Sequence, residues 1–199
     1  GSSRNYYWTY VYNDVNLISK TGWFSSAGML LAAFIVMGLA GRVRNKRNIP
    51  LVAWSIAGVS QLIGAILPAS PSTLLIHQIL SLIASCAGQT GFINLFSIAP
   101  DVTEYSQKVH GLRNAGFIFG AINLAFQFGN AFCSGVYVMI LGAAGYTPGV
   151  AQNPTVLALI RFGSWAFPAF AMFFGTCCWI GYKLNEQTHN EAIKELSRG

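Results

Sequence analysis

The sequence predicts an all-α integral membrane fold, and three observations predict it. Of its 199 residues 53% are hydrophobic and only 9% are charged, where soluble proteins carry about 25%. Two long runs, 74–99 and 115–141, contain no Asp, Glu, Lys or Arg, and a membrane-spanning helix needs roughly 20 such residues. Between them, 100–113 is crowded with charge and reads as a short aqueous loop. The mean hydropathy of +0.48 and the 21 glycines fit helices that approach one another closely inside a bilayer.

In chain order, the first element is an aromatic stretch, 6–18, holding Tyr6, Tyr7, Trp8, Tyr10, Tyr12, Asn13 and Asp14. It is too short to span, and aromatics running into polar residues mark the lipid–water interface. The chain is therefore expected to begin partway through a helix, as the interior of a longer protein. Complete spans follow at 23–40, 51–67, 74–99, 115–141 and 156–182, then a polar tail at 183–199. No soluble domain boundary interrupts 1–199.

Orientation follows from basic residues. Arg42, Arg44, Lys46 and Arg47 fill one connection, Lys108 and Arg113 another, and Lys183, Lys194 and Arg198 the tail; the alternate connections, 69–73 and 142–155, carry no charge. Basic loops remain cytoplasmic, so the tail is expected there, in the cell (inner) membrane. The net charge of +6 is thus explained by topology, and nucleic acid is not an expected partner. Lys20 and Arg161, near the opposite ends of their spans, are expected to snorkel to headgroups.

Catalysis finds no support. The sequence offers no Ser-His-Asp pattern, phosphate-binding glycine loop or zinc-ligand spacing, so neither a metal nor a cofactor is expected. Cys86, Cys133, Cys177 and Cys178 lie inside apolar runs and read as small hydrophobes.

The run 115–141 is the most informative. Gly116, Gly120, Asn123, Gln127, Asn130 and Ser134 recur every three or four residues and so share one helical face. Phe117, Leu124, Phe128 and Phe132 occupy the other. Amides are costly in hydrocarbon, so their face must look at protein or water. Two readings stand open: a polar cavity offering hydrogen bonds to a hydroxyl-rich solute, or amide contacts between helices over a glycine seam.

In 74–99, Gln78, Ser81, Ser85, Gly88 and Phe92 form one stripe and Thr90, Asn94 and Ser97 a second. These read mainly as packing contacts, with Gln89 and Asn94 the least easily explained that way. His77, near the outer end, reads as a hydrogen-bonded or interfacial histidine. Asp14 is an acid near the outer half of the membrane, either a candidate for ion coupling or a solvated helix end. Asp101 and Glu104, three apart, and Arg113 before the next span can join helix ends through charge-assisted hydrogen bonds, as in a cytoplasmic gate, or serve only to fix topology.

Asp101-Val102-Thr103-Glu104-Tyr105, then Gly111-Leu112-Arg113 and Gly116, resemble the connection between the tenth and eleventh helices of the glycoside–pentoside–hexuronide:cation symporters, within the major facilitator superfamily. Gly129-Asn130-Ala131, Gly145-Tyr146-Thr147-Pro148, Gln152, Pro168 and the ending Tyr182-Lys183-Leu184-Asn185-Glu186 extend the likeness, as does Tyr6-Tyr7-Trp8-Thr9-Tyr10-Val11, which resembles the seventh helix. The resemblance implies the C-terminal six-helix half of a major-facilitator transporter, its first helix truncated and its partner the N-terminal half of the same transporter. It implies symport of a sugar or glycoside with Na⁺ or H⁺ by alternating access, the cation site lying mainly in the N-terminal half. The substrate cavity is expected to touch Asn123, Gln127, Asn130, Phe92 and Asn94, and the cytoplasmic gate to involve Asp101, Glu104 and Arg113; of these the resemblance itself matches Asp101 and Arg113 to charged positions of the gate. Two positions depart from the family. Gln127 stands where a lysine is common, which puts the coupling ion in doubt, and Phe92 stands where a tryptophan lies near the sugar in one well-known member. Alternatives are a carrier of lipid or another non-sugar solute on the same fold, or a membrane scaffold that transports nothing.

Overall fold

A computed structural model describes residues 2–39, 42–43, 48–110 and 115–180. Among them every regular element is helical, as a hydrocarbon solvent requires: a helix satisfies its backbone polar groups internally. Helix α1 (Ser2–Tyr6) runs into a wider π-helical turn at Tyr7–Val11. Helices α2 (Asn16–Leu39), α3 (Asn48–Ile66), α4 (Leu74–His110) and α5 (Ala115–Ala143) follow. The last membrane-length segment is α6 (Pro154–Arg161), a second π turn at Phe162–Ala166, and α7 (Phe167–Ile180). Five segments are long and apolar enough to cross a membrane: Asn16–Leu39, Asn48–Ile66, Pro71–Pro100, Ala115–Ala143 and Pro154–Ile180.

Local chemistry sets the boundaries. Asn153 caps α6, its side-chain oxygen accepting the Val156 N–H at 2.8 Å, with Pro154 at the first helical position. Ser70 and Thr73 make a reciprocal capping box just ahead of α4.

Two expectations need correction. The aromatic segment 6–18 is not one helix: it breaks after Val11, and Asn13 takes a left-handed φ of 57°, a conformation asparagine tolerates better than most residues. The charged segment 100–113 is not a loop throughout, because α4 continues to His110. At 37 residues and 1.5 Å per residue, α4 is about 55 Å long, against about 30 Å of hydrocarbon. The helix outlasts the apolar run and carries its charges beyond it. Pro100 withholds one N–H from the ladder without ending the helix, and Thr103 Oγ1 bonds the Ala99 carbonyl at 2.9 Å.

Helix α4 is the hub, packed along α2 and α3, while α3 also packs on α7. At the α2–α4 crossing, a Cβ on Gly28 would stand 2.7 Å from the Leu82 carbonyl oxygen, so glycine permits the close approach. The main aromatic core is Tyr7, Trp8, Leu17, Leu80, Leu141, Val156, Ile160 and Trp165, at the end of the bundle bearing the uncharged connections. Tyr7 and Trp8, read in the sequence as part of a span end at the lipid–water interface, are fully enclosed. Helix α5 stands at the margin, with Leu141 its only buried residue.

Candidate functional site

The sequence-predicted site residues fall into three places. The first is α5. Asn123, Gln127 and Asn130 are exposed on one face, and Phe117, Leu124, Phe128 and Phe132 are exposed on the other. Among the described residues, no other helix covers either face. A Cβ on Gly116 or Gly120 would meet nothing within 4 Å, so among the described residues no helix packs against the glycine seam there. The apolar face suits lipid. The amide face does not, because an amide without a partner in hydrocarbon costs several kcal/mol, about 2–7 by the choice of reference. Part of its polarity is met locally: Asn123 Nδ2 donates to the Phe119 carbonyl at 3.1 Å and Ser134 Oγ to the Ala131 carbonyl at 3.2 Å.

The second place is α4. Phe92 turns toward α5 and lies 4.8 Å, centroid to centroid, from Phe126 and 5.2 Å from Phe96. It is therefore continuous with α5. Asn94, two residues on, is rotated by about 200° and is only 3% exposed. Its Oδ1 has no hydrogen-bond partner among the described residues. The structure thus separates Asn94 from the amides with which the sequence grouped it.

The charged groups make the third place. Asp101 and Glu104 lie on the distal part of α4, and Arg113 lies outside the described residues. Asp14 is half-buried in the break between α1 and α2, and its Oδ1 accepts the Asn16 N–H at 2.9 Å. That bond is a local cap for the start of α2.

Two further clusters were not legible as such. His77 is fully buried. Its Nε2 lies 3.1 Å from Tyr7 Oη and 3.3 Å from the Gly64 carbonyl, and its Nδ1 lies 3.0 Å from both Tyr12 Oη and the Thr73 carbonyl. A neutral imidazole can donate to a carbonyl through one nitrogen and accept from a phenol through the other, so His77 ties the π turn after α1 to α3 and α4. Trp165 closes the knot 5.2 Å from the His77 ring. Arg161, expected to snorkel, instead donates to the Ala65, Ile66 and Leu67 carbonyls. Those are the last carbonyls of α3 and its exit, groups a helix cannot satisfy itself. The one sequence signal for the knot was a histidine inside an apolar run beside a tyrosine-rich segment.

A multi-pass helical membrane protein with a one-sided amide helix at its margin is the class this architecture defines. The chain belongs to the MFS/sugar transport protein family, whose model matches residues 2–186. It is 26% identical over 97% of its length to a Salmonella typhimurium protein described provisionally as a sulfoquinovose importer, covering 40% of that protein. It is 23% identical over 98% of its length to an Escherichia coli glucuronide carrier protein homolog, covering 42% of it. A Bacillus subtilis symporter is 27% identical over 66% of the chain and 28% of its own length. No solved structure matches the chain significantly. The chain spans about two fifths of the length of the first two relatives.

Proposed function

We propose that this chain works as the C-terminal half of a secondary transporter that carries a sugar or glycoside across the cell membrane by alternating access, together with an N-terminal half of the same transporter. The observation that carries the reading is the uncovered amide face of α5, with Asn123, Gln127 and Asn130 in line. These side chains offer both donors and acceptors, which suits a neutral polyhydroxylated solute, and their face needs water, solute or a second helical half against it. Family membership and relatives named for sugar cargo support the same reading. Cation coupling, with Na⁺ or H⁺ and with Asp14 as the acid of this chain nearest the outer side, belongs to the proposal, as does a cytoplasmic tail.

The test is uptake by the full-length transporter in proteoliposomes, using labelled sulfoquinovose, a labelled glucuronide and a labelled lysophospholipid, with and without Na⁺ and pH gradients. Uptake of a sugar driven by one of the gradients is expected. Uptake of the lysophospholipid alone would replace the sugar reading by a lipid one, and uptake of none of the three would point to a scaffold. Gln127→Ala is expected to raise KM about threefold to tenfold, the loss of one or two hydrogen bonds. Arg113→Ala is expected to slow transport more than it weakens binding, because the sequence puts Arg113 in the charged stretch between two apolar runs rather than within either run. Equal losses of rate and affinity would remove Arg113 from the gate.

A further inference from the structure

The α5 stripe does not stop at Ser134. Tyr137, three residues further along the same helix, meets Tyr6 edge-on with ring centroids 6.2 Å apart. Beside it lies a recess of about 300 Å³ lined by Asn5, Tyr6, Thr9, Tyr10 and Tyr146. That volume is at the small end of ligand pockets, which run about 300–1,000 Å³, and suits a single ring. Four of the residues come from α1 and its π turn, on the face opposite the buried Tyr7 and Trp8. The π turn is a departure from regular helix that recurs at functional sites.

The recess is built, not incidental. Tyr10 Oη lies 2.9 Å from Tyr146 Oη and accepts the Gly149 N–H at 3.2 Å, which fixes the 142–155 connection over the π turn at Tyr7–Val11. Tyr6 stacks on Tyr10 at 6.4 Å and meets Tyr146 edge-on at 5.5 Å. Behind this wall, Tyr7 is held by His77 and Ser164 Oγ bonds the Ser3 carbonyl at 2.8 Å, so α1 is pinned from the rear. The lining carries aromatic faces, one exposed amide (Asn5), the hydroxyls of Thr9 and of the three tyrosines, and no charged side chain. Aromatic faces take the C–H face of a pyranose, while an amide and a hydroxyl take its hydroxyl groups. A lipid tail would leave the Asn5 amide unmet, and an ionic solute would find no counter-charge in the lining.

We propose that Asn5, Tyr6, Thr9, Tyr10 and Tyr146 form a second sugar subsite at the uncharged end of the bundle, which receives a pyranose ring next to the amide stripe of α5. The proposal rests on the sugar-carrier reading. Tyr6 supplies the ring face and Asn5 a polar contact, so both set affinity and choice of sugar rather than the rate of the loaded carrier.

The test uses the full-length transporter and whichever of the labelled glucuronide and sulfoquinovose it takes up. Tyr6→Ala is expected to raise KM about tenfold, the worth of one lost aromatic face, with a smaller change in maximal rate. Tyr6→Phe keeps the ring and is expected to recover most of that affinity. Asn5→Ala, at an exposed position, is expected to raise KM about threefold and decides the question should Tyr6→Ala fail to fold. Unchanged KM in Asn5→Ala and in any folded Tyr6→Ala, with normal uptake by the unsubstituted carrier, would overturn the subsite alone. No uptake of either sugar by the unsubstituted carrier would overturn the sugar-carrier reading and the subsite with it.

Discussion

His77 shows how much a single polar side chain in an apolar setting can organise. The ring contacts two phenols and two carbonyls from different segments. Replacing it with phenylalanine keeps an aromatic ring but leaves Tyr7, which is 0% exposed, with its hydroxyl unmet. We expect His77→Phe to destabilise the protein by about 1–3 kcal/mol, read as a lower Tm in detergent. Adding Tyr7→Phe is expected to recover part of that loss, because replacing both partners by apolar groups is nearly neutral. A double variant no better than the sum of the singles would show that the Tyr7–His77 contact carries no coupling. The sequence foretold a bonded histidine but not its partners, because hydrogen bonds between residues 70 positions apart leave no local pattern. Arg161 misled for a related reason. Its position near a span end suits both snorkelling and capping, and only the packing of α6 beside the end of α3 selects the carbonyls of residues 65–67.

At the scale of elements, the apolar runs overlap five helices long and apolar enough to cross a membrane, because length and apolarity are all a bilayer asks of a helix. They placed the ends less well. A run of apolar residues ends where the membrane ends, whereas a helix ends where its backbone bonding fails, and α4 separates the two by continuing past Pro100 to His110. The break at Asn13 was hidden for the opposite reason, since apolar and aromatic character continues across it. Periodicity was the strongest guide to α5: the spacing that put Asn123, Gln127 and Asn130 on one face holds, while the rotation of Asn94 away from Phe92 was already implied by their two-residue separation. Close crossings are the element-scale feature most open to test. A valine at Gly28 would drive its Cβ into the Leu82 carbonyl, whereas Gly22 and Gly38 on the same helix meet nothing within 4 Å. Gly28→Val is expected to cost about 1–3 kcal/mol of stability through overpacking, with Gly22→Val and Gly38→Val costing less. Equal thermal shifts at all three positions would contradict the proposed crossing of α2 and α4.

Across the whole molecule, the two ends of the bundle differ in construction. The end with uncharged connections is knotted by aromatic rings, His77 and Arg161. The opposite end carries the charged extension of α4 and the basic connections read from the sequence. A tight cluster at one end, with α5 lightly held along its length, describes a bundle that can bear against another helical body through one polar face. The alternating-access reading needs that face to be wet and the Phe117 face to be in lipid. The family was legible from short motifs near Asp101, Gly111 and Gly129, but a motif names a fold without saying which way a helix turns.

The most direct test is the reactivity of single cysteines along α5 in the full-length transporter, with Cys86, Cys133, Cys177 and Cys178 replaced by serine. A membrane-impermeant maleimide is predicted to label Asn123→Cys, Gln127→Cys and Asn130→Cys, with a transported sugar slowing the reaction, and to leave Phe117→Cys, Leu124→Cys and Phe132→Cys largely unmodified. Labelling of the phenylalanine and leucine positions in preference to the amide positions, or equal labelling of both faces, would contradict an aqueous substrate path along α5.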